Sequence, residues 1–172
     1  YIGVDAFITL TNVRDIQVLI SGNAYSPGVY TLNGNSNLLH AIVVAGGISD
    51  NGSYREISLI RNNEVVETVD LYDIFIFGNT SFTTNLRSGD TIHIPQHKNL
   101  VHVMSGVNRP MIYELNKDEP FMDLVGYANG FNSKANMDKM LVERIVNGDI
   151  SSFNLKNNEL SSVLAKDNDS LF

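Results

Sequence analysis

The chain has 172 residues, a formal net charge of −7 and no cysteine. An acidic average field repels a phosphate backbone and argues against a nucleic-acid module, and the lack of cysteine removes disulfides, thiol nucleophiles and zinc knuckles. Hydrophobic residues make up 43% and charged residues 18%, an ordinary globular balance, and no run approaches the ~18 apolar residues of a membrane helix.

Residues 1 to 15 are weakly patterned, with Phe7, Ile8 and Leu10 as a candidate strand entering from upstream. The chain starts at Tyr1 rather than Met and shows no signal peptide, so it reads as an excised or processed part of a longer protein. Ile16 to Ile20 is short, apolar and β-branched, as a buried strand requires. Ser26-Pro27-Gly28 is a turn signal, and Val29 to Leu32 returns as the second strand of a hairpin.

Ser36 is read as the N-cap of a helix whose apolar face is Leu38, Leu39, Ala41, Ile42 and Ala45. Gly46-Gly47 ends it. Arg55 to Arg61 alternates as a strand, Asn62-Asn63 is a turn, and Glu64 to Val69 is the partner strand. Asp70 caps a short helix, Leu71 to Phe77, stopped by Gly78. A turn at Gly89-Asp90 then leads into a strand closed by Pro95, which has no N–H for a ladder.

The plan then repeats. Pro27 and Pro110, Tyr30 and Tyr113, Leu32 and Leu115, Ala45 and Ala128, Gly47 and Gly130, and Arg61 and Arg144 are all 83 positions apart. The apolar positions between them match as well, which makes these two copies of one small fold. In the second copy Asp118 is the expected N-cap, Pro120 lies in the first turn, and Phe121, Met122, Leu124, Val125 and Ala128 form the apolar face. Asn147-Gly148 is a hairpin turn, and Asn168 to Leu171 mirrors Gly89 to Ile92, so this copy is expected to be truncated at its C-terminus and to lack part of its last strand.

The organisation expected is a lead-in over 1–15, a first domain over 16–97 and a second over 98–172, coupled by a short polar linker. Each unit is strand, strand, helix, strand, strand, short helix, strand. The fold class is therefore α+β: two tandem β-grasp-like domains, each a small mixed sheet packed on one main helix.

The ordered set VLISGNAYSPGVYTL, LLHAIVVAGGIS, SYREISLIR, VDLYDIFIFGN and LRSGDTIHIP resembles the soluble-ligand-binding β-grasp (SLBB) domain. Two such domains, the second opening with Arg109-Pro110 and Tyr113-Glu114-Leu115, resemble the periplasmic part of bacterial outer-membrane polysaccharide-export proteins. Asn129-Gly130 replaces the family's Gly-Gly, Met111 replaces the Gly after the turn proline, and the second turn is one residue shorter. The resemblance implies a non-enzymatic role in carrying capsular or exopolysaccharide across the outer membrane. It also implies a ring-forming homo-oligomer, an inner-membrane polysaccharide co-polymerase as partner, the periplasmic face of the outer membrane as location, and no cofactor.

The residues themselves offer little catalysis: G-x-S-x-G, H-E-x-x-H and the P-loop pattern are all absent. Ala45-Gly46-Gly47 follows a helix instead of preceding one, so it reads as a C-cap rather than a phosphate cradle. His93, His97 and His102 lack the carboxylate or cysteine spacing of a metal site and read as surface histidines. Asp123 and Glu143 form no recognisable glycosidase pair.

The candidate ligand contacts are Arg55, Arg61, Arg109, Arg144, Tyr30 and Tyr113. A guanidinium offers a planar donor fork for sugar or anion, and a tyrosine offers a stacking face. The competing expectation pairs Arg61 and Arg144 with nearby acids such as Glu64 or Asp149, and makes both tyrosines packing anchors. Two functions stay open at this point: an assembly and conduit module, and a discrete glycan- or small-ligand-binding module.

Overall fold

The computed structural model describes residues 14–79 and 84–172, so the expected strand around Phe7 to Leu10 lies outside the described residues. The first unit runs β1 (Asp15–Gly22), β2 (Gly28–Asn33), α1 (Leu38–Val44), β3 (Ile57–Arg61), β4 (Glu64–Val69), α2 (Leu71–Phe75) and β5 (Thr91–Ile94). The second runs β6 (Asn99–Val103), β7 (Met111–Leu115), α3 (Phe121–Tyr127), β8 (Met140–Val146), β9 (Asp149–Leu155), a 3-10 turn (Asn157–Glu159) and β10 (Ser170–Leu171). The sheets have equivalent orders, β2-β1-β5-β3-β4 and β7-β6-β10-β8-β9. The central pair is parallel in each (β1 with β5, β6 with β10) and the other pairings are antiparallel. A parallel pair needs a long crossover, which each copy supplies with its helices. The α+β, tandem β-grasp reading holds.

Each sheet buries one face under its main helix. In the first copy Val18, Ile20, Ile57, Leu59, Ile92 and Ile94 from the strands meet Leu38, Ala41 and Ile42 from α1 and Ala45 at its C-cap. Strand alternation places Val18 and Ile20 inward while Leu19 between them is 40% exposed. The second core is more aromatic: Phe121, Tyr113 and Tyr127 join Val101, Val142 and Leu124. Tyr72 and Ile76, which belong to the first copy, pack against this second core.

The expected N-caps of the two main helices are corrected. Asn37, not Ser36, caps α1 by accepting the His40 N–H at 2.8 Å, and Ser36 instead meets His40 Nδ1 at 2.9 Å. Asp118 sits outside α3 in a left-handed turn at φ 64°, the N-cap is Pro120, and no side chain caps the helix. The short helix α2 ends at Phe75, two residues before the expected end at Phe77. Asp70 does cap it, accepting the Tyr72 N–H at 2.8 Å.

The repeated turn is tied to the repeated helix end. Tyr25 and Ser26 donate backbone bonds to the carbonyls of Gly47 and Ala45, and Asn108 and Arg109 donate to those of Gly130 and Ala128. Satisfying the otherwise orphaned carbonyls at a helix C-terminus fixes where the turn sits. Asn129 takes a left-handed φ of 61° where the first copy uses Gly46 at 85°, a conformation asparagine tolerates. The substitution therefore leaves the turn intact.

Candidate functional site

Tyr30 and Tyr113 have one structural task in common. Each hydroxyl donates to the carbonyl four residues upstream, Ser26 at 2.6 Å and Arg109 at 2.7 Å, and so staples its turn. Tyr113 is buried and Tyr30 only half-buried. Arg61 and Arg144 are also equivalent. Their partners are Asp90 and Asp169, not Glu64 or Asp149. Arg61 Nε and Nη2 donate to Asp90 at 2.7 and 2.8 Å, and Arg144 makes the same fork to Asp169 at 2.8 and 2.6 Å. Asp90 also accepts the Arg87 N–H and Asp169 the Lys166 N–H, so each carboxylate pins a turn to the middle of its sheet. Burial alone would raise the Asp90 carboxyl, but the Arg61 fork and the Arg87 N–H offset that and hold it below the ordinary carboxylate value.

Arg55 has no counterpart, since the equivalent position in the second copy is Asp138. Its side chain is buried where the two copies meet. Nε donates to Asp70 at 2.9 Å, and Nη1 reaches across to Glu119 at 2.6 Å and to the Glu114 carbonyl at 3.3 Å. The guanidinium carbon lies 4.8 Å from the Tyr72 ring centre and 5.0 Å from that of Tyr127, within cation–π range of both. Desolvation disfavours its charge, but the Glu119 and Asp70 bonds outweigh that and raise its pKa further.

Further bonds cross the same seam. The Tyr54 N–H donates to Glu114 Oε2 and the Glu114 N–H donates to the Tyr72 hydroxyl, both at 2.8 Å. Tyr127 Oη donates to Glu119 Oε1 at 2.9 Å. The rings of Tyr72 and Tyr127 meet edge to face at 5.2 Å. Desolvation pushes the Tyr72 phenol up to about 12. A buried charge retained with every partner supplied fixes one relative placement of the two units. Glu119, Tyr72 and Tyr127 were not singled out by the sequence, and Glu114 stood out only as part of the Tyr113-Glu114-Leu115 motif. The signal available was Arg55 itself, a charged residue in a repeat that the other copy does not repeat.

Beside this seam lies an open groove of about 410 Å³. Tyr54, Tyr72 and Phe75 line it from the first copy, and Arg109, Ile112 and Tyr113 from the second, with Tyr127 also contributing. Thus the structure brings Arg109 and Tyr113 together, buries Arg55 behind the groove, and leaves Tyr30, Arg61 and Arg144 elsewhere. A second cavity of about 440 Å³ lies within the second copy, between the Ser105–Val107 turn and Leu171. In the first copy the equivalent ground is crossed by the chain after β5, where Ser53 donates to the Pro95 carbonyl and Gly52 bridges Gln96. Among the described residues no group of three or more His, Asp or Glu side chains is gathered for a metal, and His93 instead meets Ser21 Oγ at 3.1 Å. No helix among the described residues is long and apolar enough to cross a membrane.

Comparison with known proteins accords with this architecture. Two family models, each described as an SLBB domain, match residues 16–94 and 101–153. Two curated relatives, both named polysialic acid transport protein KpsD of Escherichia coli, are each 26% identical over 127 residues. The match covers 73% of this chain but only 23% of each relative, so the chain spans about a quarter of their length. The chain is built from two tandem SLBB domains and belongs to that family.

Proposed function

We propose that this chain is the periplasmic part of a polysaccharide exporter, an assembly and conduit module that helps carry capsular or exopolysaccharide across the outer membrane. The observation that carries the reading is the 127-residue similarity to polysialic acid transport proteins, a stretch too long to lie within either copy alone. The buried Arg55 junction supports it. Two SLBB units held in one relative placement suit a stacked wall better than two independently moving binding modules do. In this reading the full-length protein forms a homo-oligomeric ring and meets an inner-membrane co-polymerase, and no step of chemistry is required of it.

The test is fractionation of cells producing the full-length parent, tagged where export is not blocked. Recovery in the outer membrane as a detergent-stable oligomer is the expected result. Recovery as a soluble monomer overturns the exporter reading and leaves a discrete glycan- or small-ligand-binding module. One feature favours that second reading: the aromatic groove at the seam, whose volume falls in the range of small-molecule sites.

A further inference from the structure

The groove at the seam combines three properties. Its lining is largely aromatic, contributed by Tyr54, Tyr72, Phe75, Tyr113 and Tyr127. It is accessible: Tyr54 is 40% exposed, Phe75 55% and Ile112 50%. Its cation, Arg109, is exposed and makes no side-chain hydrogen bond or ion pair among the described residues. Each other arginine of the candidate set is bound in a carboxylate fork: Arg55 by Asp70 and Glu119, Arg61 by Asp90, Arg144 by Asp169. In a chain of net charge −7, Arg109 is the candidate arginine left without an acid, and it stands beside an aromatic groove.

Arg109 is also held in place. Its N–H is bonded to the Ala128 carbonyl and its own carbonyl accepts the Tyr113 hydroxyl, so the backbone at its root is fixed at the groove rim. Tyr54 is anchored likewise through its N–H to Glu114. Both walls of the groove therefore keep their spacing as long as the Arg55 junction is closed.

From this arrangement we infer that the groove is a subsite for an acidic sugar residue of a glycan chain. A sugar ring has an apolar C–H face that packs on an aromatic ring and hydroxyls at its edge that accept from phenol donors at the rim. A carboxylate on the ring is matched by the planar fork of Arg109. An aliphatic peptide would use the apolar walls but leave the cation unanswered. A neutral sugar would do the same. The site needs both copies at once, which gives the fixed seam a role in recognition. The inference rests on the exporter reading for its choice of a glycan, but it is tested separately.

The experiment is NMR titration of the chain, labelled with nitrogen-15, using oligogalacturonate, oligosialate and, as the neutral comparison, maltotetraose. At least one acidic oligomer is expected to shift resonances of Arg109, Ile112 and Tyr54, and maltotetraose is expected to shift none. Arg109→Gln should weaken the acidic oligomer about tenfold, the loss of one charge-assisted contact. Tyr54→Ala should weaken it as well, and neither variant should lower the melting temperature, because neither side chain belongs to the junction bonds. The proposal is overturned if no acidic oligomer binds, if maltotetraose binds equally, or if binding survives both substitutions. Concentration-dependent broadening of the same resonances without sugar would also overturn it, by assigning the face to a second copy of the chain. A negative titration alongside outer-membrane recovery of the parent would remove this subsite and leave the exporter reading standing.

Discussion

The two copies share a topology but spend equivalent positions differently. Tyr127 on α3 is buried against Tyr72, whereas its counterpart on α1, Val44, is 45% exposed. Arg55 is buried at the seam, whereas its counterpart Asp138 is exposed. The turn tyrosine is buried at Tyr113 and half-buried at Tyr30. What stays the same is what a single unit needs for itself: the Arg61–Asp90 and Arg144–Asp169 forks and the turn docked on the helix end. These three divergences arise where one copy covers the other. The two copies keep one fold, and the interface accounts for these particular differences.

That contrast is sharpest at Arg55. Arg55→Ala leaves Asp70 and Glu119 facing each other without their shared cation. Losing one partner of a buried ionic cluster costs about 3 kcal/mol or more. We expect denaturant unfolding to split into two transitions as the units uncouple. Asp138→Ala, at the equivalent exposed position, should stay within about 0.5 kcal/mol. A single unshifted transition for Arg55→Ala would mean that the seam does not couple the copies.

The next largest difference is at the left-handed glycine that comes after the start of each unit, Gly22 at the end of β1 and Gly106 three residues after β6. A Cβ on Gly22 would lie 2.1 Å from the Ile94 carbonyl oxygen, while one on Gly106 meets nothing nearer than Ala135 at 3.7 Å. Both have left-handed φ, 80° and 75°. Gly106→Ala should therefore lose only the backbone strain, about 1–2 kcal/mol, and Gly22→Ala more, because the β5 backbone must also move. Thermal midpoints of the two variants check this. Equal losses would show that the backbone around the two glycines is equally loose.

Helix capping gives a smaller contrast. Asn37→Ala removes the α1 side-chain cap and should cost about 1 kcal/mol, read from the denaturation midpoint. The second copy offers no equivalent loss at Pro120, which makes no side-chain cap bond.

The smallest effect is in pH. The Asp90 carboxyl is depressed in the folded chain, so its contribution is present above the ordinary value of 3.8 and fades as pH falls through the folded value. Stability measured from neutral pH downward should decline there, and Arg61→Gln should flatten the decline. An unchanged acid limb would show that the fork does not hold this proton off.

Much of this molecule is legible in its sequence. The repeat, the order of elements, the Glu64 to Val69 strand and the Asn62-Asn63 and Asn147-Gly148 turns follow from period and turn chemistry, which act over a few residues. Helix starts were less legible, because Ser36, Asn37 and Asp118 all have capping chemistry and backbone geometry chooses among them. The candidate arginines were visible as residues but not as partners. Arg61 sits three residues from Glu64, yet its carboxylate is 29 residues away at Asp90, on the turn that leads into the neighbouring strand. Arg55 meets Glu119 across 64 residues.

The sequence by itself determined that there are two copies and what each copy is. Apolar spacing, glycine and proline placement and local hydrogen-bond competition act within one unit and need no partner. Only the tertiary structure decided how the copies face each other and that, of the candidate arginines, Arg55 is buried at the seam while Arg109 has no carboxylate partner among the described residues. Those outcomes depend on carboxylates and rings brought together from distant parts of the chain, and pairwise electrostatics in a buried seam carries no local pattern to read.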